Sequence, residues 1–225
     1  MIDIKKKFKA IIFDMDGTIL DTEKAWQSVT RAVLKDHGFH TLDIHQEKFI
    51  TTLSGMGMIN AVHALKGHFN IQTPVEQLAA HKIQLANKHF AEHVAFIEGF
   101  EIFHKKLQLH DIPTSIATNA NLENLESLNK QMNLASFFGE KMFCIAHVNN
   151  KAKPDPALFL HAAEQLGVKP EECLVFEDSL PGFLAAKAAG MKCIAIKNKI
   201  NIHLLEHVHG AIDSYHDAEE LLKKI

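Results

Sequence analysis

The chain has 225 residues, 47% hydrophobic and 23% charged, with a mean hydropathy of −0.05. That mix excludes a disordered, collagenous or coiled-coil chain, and no run approaches the roughly 20 apolar residues that span a bilayer. The formal net charge of −3 leaves no basic field for nonspecific binding of nucleic acid, although 16 histidines make that balance sensitive to pH.

Lys5, Lys6 and Lys7 read as a solvated lead-in to a first strand, Ala10-Ile11-Ile12-Phe13. That apolar run is too short for a signal-peptide core, and no small-residue cleavage site follows it, so a cytoplasmic protein is expected. From about 22 to 93 only helical periodicity is found, punctuated by Gly38, the Gly55 and Gly57 pair, Gly67 and Pro74. Strand-like runs then return at 113–118, 142–146, 173–176 and 191–196, separated by helical patterns at 101–110, 122–132, 156–166 and 181–189. Gly167 and Gly190 stop two of those helices, and 217–225 reads as a closing helix with Leu221 and Leu222 inward.

Strands alternating with helices predict an α/β fold, a doubly wound parallel sheet with an inserted all-helical cap. Residues 1–20 and 95–225 are expected to form the core and 21–94 the cap, with hinges near 20–22 and 96–99. Cys144, Cys173 and Cys193 are an odd set without motif spacing, and read as buried thiols of a reducing compartment.

Asp14-Met15-Asp16-Gly17-Thr18 follows the first strand directly. Ligand sites of open parallel sheets lie at the carboxyl ends of the strands, and residues i and i+2 share a face. Paired carboxylates there suit a divalent cation, or a nucleophile with an acid/base partner; an ordinary turn is the alternative. Three more signals point to the same sheet edge. Thr118-Asn119 ends the second core strand with a hydroxyl and an amide suited to an oxyanion. Lys153-Pro154-Asp155-Pro156 opens a helix beside it, and Glu177-Asp178-Ser179 ends the fourth strand with a second acidic pair.

In these four motifs the sequence resembles the haloacid dehalogenase superfamily, over the whole chain including the helical insertion. Within it the chain is similar to the branch of β-phosphoglucomutase and the small sugar-phosphate phosphatases. The resemblance implies that Asp14 is the nucleophile, forming an aspartyl-phosphate, and that Asp16 is the general acid and then base. It implies Mg²⁺ held by the Asp14 carboxylate, the Asp16 backbone carbonyl and the Asp178 carboxylate, with Glu177 acting through metal-bound water. Thr118 and Asn119 would bind phosphoryl oxygens, and Lys153 would balance charge on the phosphate and on Asp14. Asp16 argues for an oxygen leaving group and against dehalogenation, since a departing halide needs no proton.

The related mutases carry a histidine ten residues after the second aspartate; here that position is Trp26. A mutase also needs a cap site for a second phosphate. Arg31, the chain's only arginine, is the candidate, with lysines as possible substitutes. A phosphatase is therefore expected, with a sugar-phosphate mutase as the same-fold alternative and a noncatalytic phospho-ligand module as the remote one.

Trp26 and the loop 53–58, with Gly55, are expected over Asp14 as substrate contacts; alternatively Trp26 and the two methionines fill the cap's own core. The expected partner is a small phosphorylated metabolite, a sugar or polyol phosphate, met by a monomer with no nucleic-acid or membrane partner. His89 and His93, four apart, lack a third ligand and read as a solvated helix face.

Overall fold

A strand covered on both sides needs no polar face, and Ala10-Ile11-Ile12-Phe13 has none. The computed structural model describes residues 4–53 and 56–225, with the backbone alone for 87–93. Helix α1 (Ile4–Lys7) leads into β1 (Ala10–Phe13), and β2 (Leu20–Asp21) opens the insertion. The insertion runs through α2 (Glu23–Asp36), α3 (Ile44–Thr52), α4 (Met58–Phe69) and α5 (Val75–His93), and closes at β3 (Ala95–Phe96). After it come α6 (Phe100–Leu109), β4 (Thr114–Thr118), α7 (Leu122–Met132), α8 (Ala135–Phe138) and β5 (Met142–Cys144). The chain ends through α9 (Ala157–Leu166), β6 (Cys173–Glu177), α10 (Leu180–Ala188), β7 (Lys192–Ile196), β8 (Gly210–Ile212) and α11 (Ala218–Lys224).

Six strands form one parallel sheet in the order β5-β4-β1-β6-β7-β8. Successive residues of β1 serve opposite faces, as the pleat requires. Ile11 and Phe13 join a cluster with Phe100, Phe103 and Phe176, whereas Ala10 and Ile12 meet Leu158, Phe159 and Phe183. Phe13 stacks on Phe176 of the neighbouring strand with ring centroids 5.3 Å apart. From β1 the chain winds outward through β4 to β5, then crosses back to β6 and out to β8. The winding reverses between β1 and β6, and a crevice opens beyond the carboxyl ends of strands at such a reversal.

The insertion has a core of its own, including Leu34, Leu65, Phe69 and Leu78. Its α2 and α5 also set Ala25, Val29 and Ala86 into the cluster below the sheet. Local chemistry fixes the start of α3: Asp43 Oδ1 accepts the amides of His45 and Gln46, and the Gln46 side chain accepts the Asp43 amide. Where hinges are expected, the two chain crossings pair as an antiparallel ribbon, Leu20 opposite Phe96 and Asp21 opposite Ala95.

Several elements differ from the sequence reading. The lysine run is helical, and Lys7 Nζ donates to the carbonyls of Leu222 and Lys223, tying α1 to the end of α11. Strand β5 stops at Cys144 and continues as a 3-10 turn over Ile145–Val148, pinned where the Cys144 amide donates to His147 Nδ1. The ribbon and β8 were not expected, because two or three residues carry no periodicity. Leu222 is buried in α11, with Leu221 packed partly beside it. All three cysteines are buried and free, and among the described residues no helix is long and apolar enough to cross a membrane.

Candidate active site

One hydrogen bond beyond β1 delivers the first carboxylate: the Asp14 amide donates to Phe176 O at 2.9 Å, extending the ladder past Phe13. The chain then turns at Gly17, whose φ of +81° suits a residue without Cβ. Its amide donates to Leu20 O at 2.7 Å, and Met15 O accepts the amides of Ile19 and Leu20. A Cβ at Gly17 would lie 2.2 Å from Asp178 Oδ2, so the turn carrying Asp16 rests directly against the second acidic motif.

Four motifs meet there. Lys153 Nζ donates to Asp14 Oδ1 at 2.6 Å and to Glu177 Oε1 at 2.9 Å, and lies 4.6 Å from the ring centre of Phe159. Asn119 pairs with the backbone of Lys153, its Oδ1 accepting the amide at 2.8 Å and its Nδ2 donating to the carbonyl at 3.4 Å. Its side chain thus braces the lysine loop, a part the sequence reading did not give it. Thr118 Oγ1 accepts the Ala120 amide at 3.1 Å, which leaves its hydroxyl hydrogen for a ligand.

Glu177 also has partners other than those expected. Its Oε2 accepts the amides of Asp178 and Ser179, at 2.7 and 2.6 Å, and the Ser179 hydroxyl at 2.9 Å. With Oε1 on Lys153, both oxygens are held by protein donors. Glu177 therefore ties the lysine to the loop bearing Asp178. Gly182 makes room for it, since a Cβ there would stand 1.8 Å from the Glu177 carboxyl carbon. Replacing a helical glycine by alanine ordinarily gains about 1 kcal/mol. Here Gly182→Ala should instead destabilise by about 2 kcal/mol, as overpacking against an immovable group does. Thermal unfolding of the variant checks the sign.

Asp16 sits in different company. Its Oδ1 accepts the Thr22 hydroxyl at 2.8 Å and the Trp26 indole N–H at 3.0 Å. Trp26 lines the cleft and packs on the core cluster rather than in the insertion's own core; Met58 does pack there. Burial raises Asp16 above the ordinary carboxylate range, against the pull of its two donors. Burial likewise raises Asp14, to about 8 against the pull of Lys153, and burial with Glu177 and Asp14 raises Asp178 well above its ordinary value. Burial works against the charge of Lys153, but Asp14 and Glu177 prevail and hold it above its usual value.

The cleft spans about 920 Å³, counting the part open to solvent, and is walled by both core and insertion. Gly57 brings the insertion close, a Cβ there lying 3.9 Å from Asn119 Nδ2. Gly55 lies outside the described residues, as do the side chains of His89 and His93. Arg31 does not line the cleft: Glu47 holds it from two sides, with Nη2 to Oε2 at 2.7 Å.

The insertion does bring a cation to the cleft, Lys82 of α5, which the sequence analysis does not single out. It is 4% exposed, stands 5.6 Å from the Trp26 ring centre, and makes no ion pair among the described residues. Burial pushes its ammonium down to about 8. A signal existed: Lys82 lies midway between Leu78 and Ala86, on the inward stripe of its helix.

Among the described residues no three histidine, cysteine or acidic side chains form a metal cage by themselves. Mg²⁺ does not need one, since it takes one or two carboxylates and keeps several waters. Asp14, Asp16 and Asp178 crowd negative charge and hard oxygen donors beside one engaged lysine, and a divalent cation fits that surplus.

A family model described as haloacid dehalogenase-like hydrolase matches residues 11–196. The chain is 32% identical over 195 residues to YhcW of Bacillus subtilis, a protein assigned as a phosphatase, covering 85% of this chain and 84% of that one. It is 28% identical over 216 residues to the phosphorylated carbohydrates phosphatase of Thermotoga maritima, covering 96% and 90%. The crystal structure of a family IA, variant 3 hydrolase from Entamoeba histolytica superposes with a TM-score of 0.84 at 23% identity, covering 96% and 98%, a likeness of fold.

Proposed function

The chain belongs to the haloacid dehalogenase-like hydrolases, as a phosphoric monoester hydrolase among phosphatase relatives, and from that premise we propose a Mg²⁺-dependent sugar- or polyol-phosphate phosphatase working through a phosphoryl group on Asp14. One observation carries the reading: two carboxylates two residues apart have opposite surroundings. Asp14 is paired with an ammonium at 2.6 Å, a partner that stabilises a carboxylate against its burial, whereas Asp16, also raised by burial, accepts from two neutral donors, the Thr22 hydroxyl and the Trp26 indole. That difference in partners, a cation on Asp14 and neutral donors on Asp16, supports Asp14 as the nucleophile and Asp16 as the acid.

The steps follow from these atoms. With Oδ1 held by Lys153, the other Asp14 oxygen attacks phosphorus while the bond to the ester oxygen breaks. Asp16 gives its proton to that leaving oxygen, so the alcohol departs neutral. The resulting Asp16 carboxylate takes a proton from water, the water oxygen bonds to phosphorus, and Asp14 is released with inorganic phosphate. Thr118 and backbone amides after β4 hold phosphoryl oxygens, and Lys153 offsets charge on Asp14 and phosphate. Bound Mg²⁺, held by Asp14, the Asp16 carbonyl and Asp178, supplies charge neutralisation between an anionic nucleophile and an anionic ester.

Residues 21–94 act in this reading as the cap that excludes water, and Trp26 and Lys82 meet the alcohol part of the substrate. The one arginine is engaged by Glu47 outside the cleft, so the bisphosphate site a mutase requires has no support from it. The free, buried thiols suit a reducing cytoplasm, and the reading takes the protein as a monomer acting on a free metabolite.

Phosphate release from a panel of sugar and polyol phosphates, with Mg²⁺ and with chelator, tests the proposal. Metal-dependent release supports it. Silence across the panel, with transfer between positions of a hexose phosphate instead, would give the reaction to a mutase. The acid has its own test: Asp16→Asn should slow alkyl phosphates by about 10²–10⁴ and aryl phosphates far less, because a phenolate needs little protonation. Equal losses on both would remove Asp16 from that role.

A further inference from the structure

Asp178 is held by a segment outside all four motifs. Beyond β7, residues 197–201 form a turn carrying Asn198 and Asn201. Each asparagine uses its carbonyl oxygen on the turn itself. Asn198 Oδ1 accepts the amides of Ile200 and Asn201 at 2.9 and 2.8 Å, and Asn201 Oδ1 accepts the Asn198 amide at 2.9 Å. Those bonds fix both side-chain amides, because flipping either would set N–H against N–H.

The two NH₂ groups consequently face one neighbour. Asn198 Nδ2 donates to Asp178 Oδ2 at 3.1 Å and to its carbonyl at 3.3 Å. Asn201, itself buried, donates from Nδ2 to the carbonyls of Asp178 and Ile196, each at 2.7 Å. Among the described residues the other carboxylate oxygen, Oδ1, has only the Thr18 hydroxyl, at 3.5 Å.

We propose that Asn198 is a positioning residue for the carboxylate that binds the cation, and that Asn201 locks the turn from which it acts. By engaging Oδ2, Asn198 fixes the rotation of the Asp178 carboxylate and leaves Oδ1 as the oxygen offered to Mg²⁺. The inference rests on the reading of Asp178 as a metal ligand. Outer partners of a ligand commonly set affinity by 10–100-fold without touching the ion.

The test is Mg²⁺ binding to the substrate-free, full-length protein, followed by calorimetry and by the fluorescence of Trp26, the chain's one tryptophan. Asn198→Ser keeps an oxygen for the turn amides but cannot reach Asp178. It should weaken Mg²⁺ binding about 10-fold, shift the Mg²⁺ activation curve equally, and recover turnover at saturating Mg²⁺. Asn198→Thr, which can cap the same turn, should show the same split and serves if the serine variant unfolds. Asp178→Asn separates the two readings. If it abolishes Mg²⁺ binding while both Asn198 variants bind normally, the positioning role is overturned and the ligand role stands. If Asp178→Asn leaves Mg²⁺ affinity intact, the ligand reading itself fails. A loss in the Asn198 variants that is uniform at every Mg²⁺ concentration also overturns the proposal, since it marks a structural part only.

Discussion

Asp14→Asn should lower turnover by at least about 10⁴ while the protein stays folded. The amide has the size of the carboxylate, and its carbonyl can still accept from Lys153, which keeps its second partner, Glu177. It also removes one anion from a buried acidic group in which Asp14 helps raise Asp178. What it lacks is a nucleophilic oxygen able to bond to phosphorus. Circular dichroism and thermal unfolding monitor the fold, and phosphate release monitors the chemistry. A residual rate within tenfold of the parent protein would remove Asp14 from the reaction.

Lys82→Met should make the protein more stable at neutral pH and a poorer enzyme. Burial lowers the Lys82 ammonium from 10.5 to about 8, with no ion pair among the described residues to offset it. The unfolded chain therefore binds this proton more tightly than the folded one. The cost of the buried charge is present in full below about 8 and is relieved as pH rises toward 10.5. Methionine fills the space without the charge, so the variant should gain on the order of 2 kcal/mol at pH 7, and the gain should vanish near pH 11. Denaturant titrations at the two pH values measure both. Such a cost persists where a ligand uses the charge, so KM for a sugar phosphate should rise about tenfold in the variant. In the parent protein kcat/KM should fall as pH passes 8, and this fall should be missing from Lys82→Met. A variant that is less stable at pH 7, with KM unchanged, would make Lys82 a packing residue.

The parts of the fold that were legible are those where local pattern and tertiary position coincide. β1, β4, β6 and β7 are the inner strands, covered on both faces, so they stand out as apolar runs. β8 lies at the sheet edge with a three-residue, half-exposed pattern, and the β2–β3 ribbon exists only because distant residues pair.

The site follows the same division. Asp14, Thr118, Lys153 and Asp178 were readable because each follows an inner strand or opens the helix next to it. Their second partners were not, since a side chain's neighbours across the sheet leave no trace in spacing. Glu177 spends its oxygens on Lys153 and two amides, and Asn119 on the lysine's backbone. Arg31 looked suited to a phosphate by residue type alone, but Glu47, sixteen residues on, reaches it first. Lys82 was hidden for the opposite reason: a lone lysine on a helix reads as solvated until its place on the apolar stripe is noticed. Asn198 and Asn201 sit in a turn whose side-chain bonds look like ordinary turn chemistry until Asp178 is brought beside them.

The most direct measurement is to trap the covalent step. Turnover of the best substrate in the presence of Mg²⁺ would be quenched with acid, reduced with borohydride, and the peptides sequenced by mass spectrometry. A phosphoryl group on Asp14 predicts homoserine at position 14, absent without Mg²⁺ and absent in Asp14→Asn. Rapid phosphate release with unmodified Asp14 at every quench time, or with the label on another residue, would contradict the account.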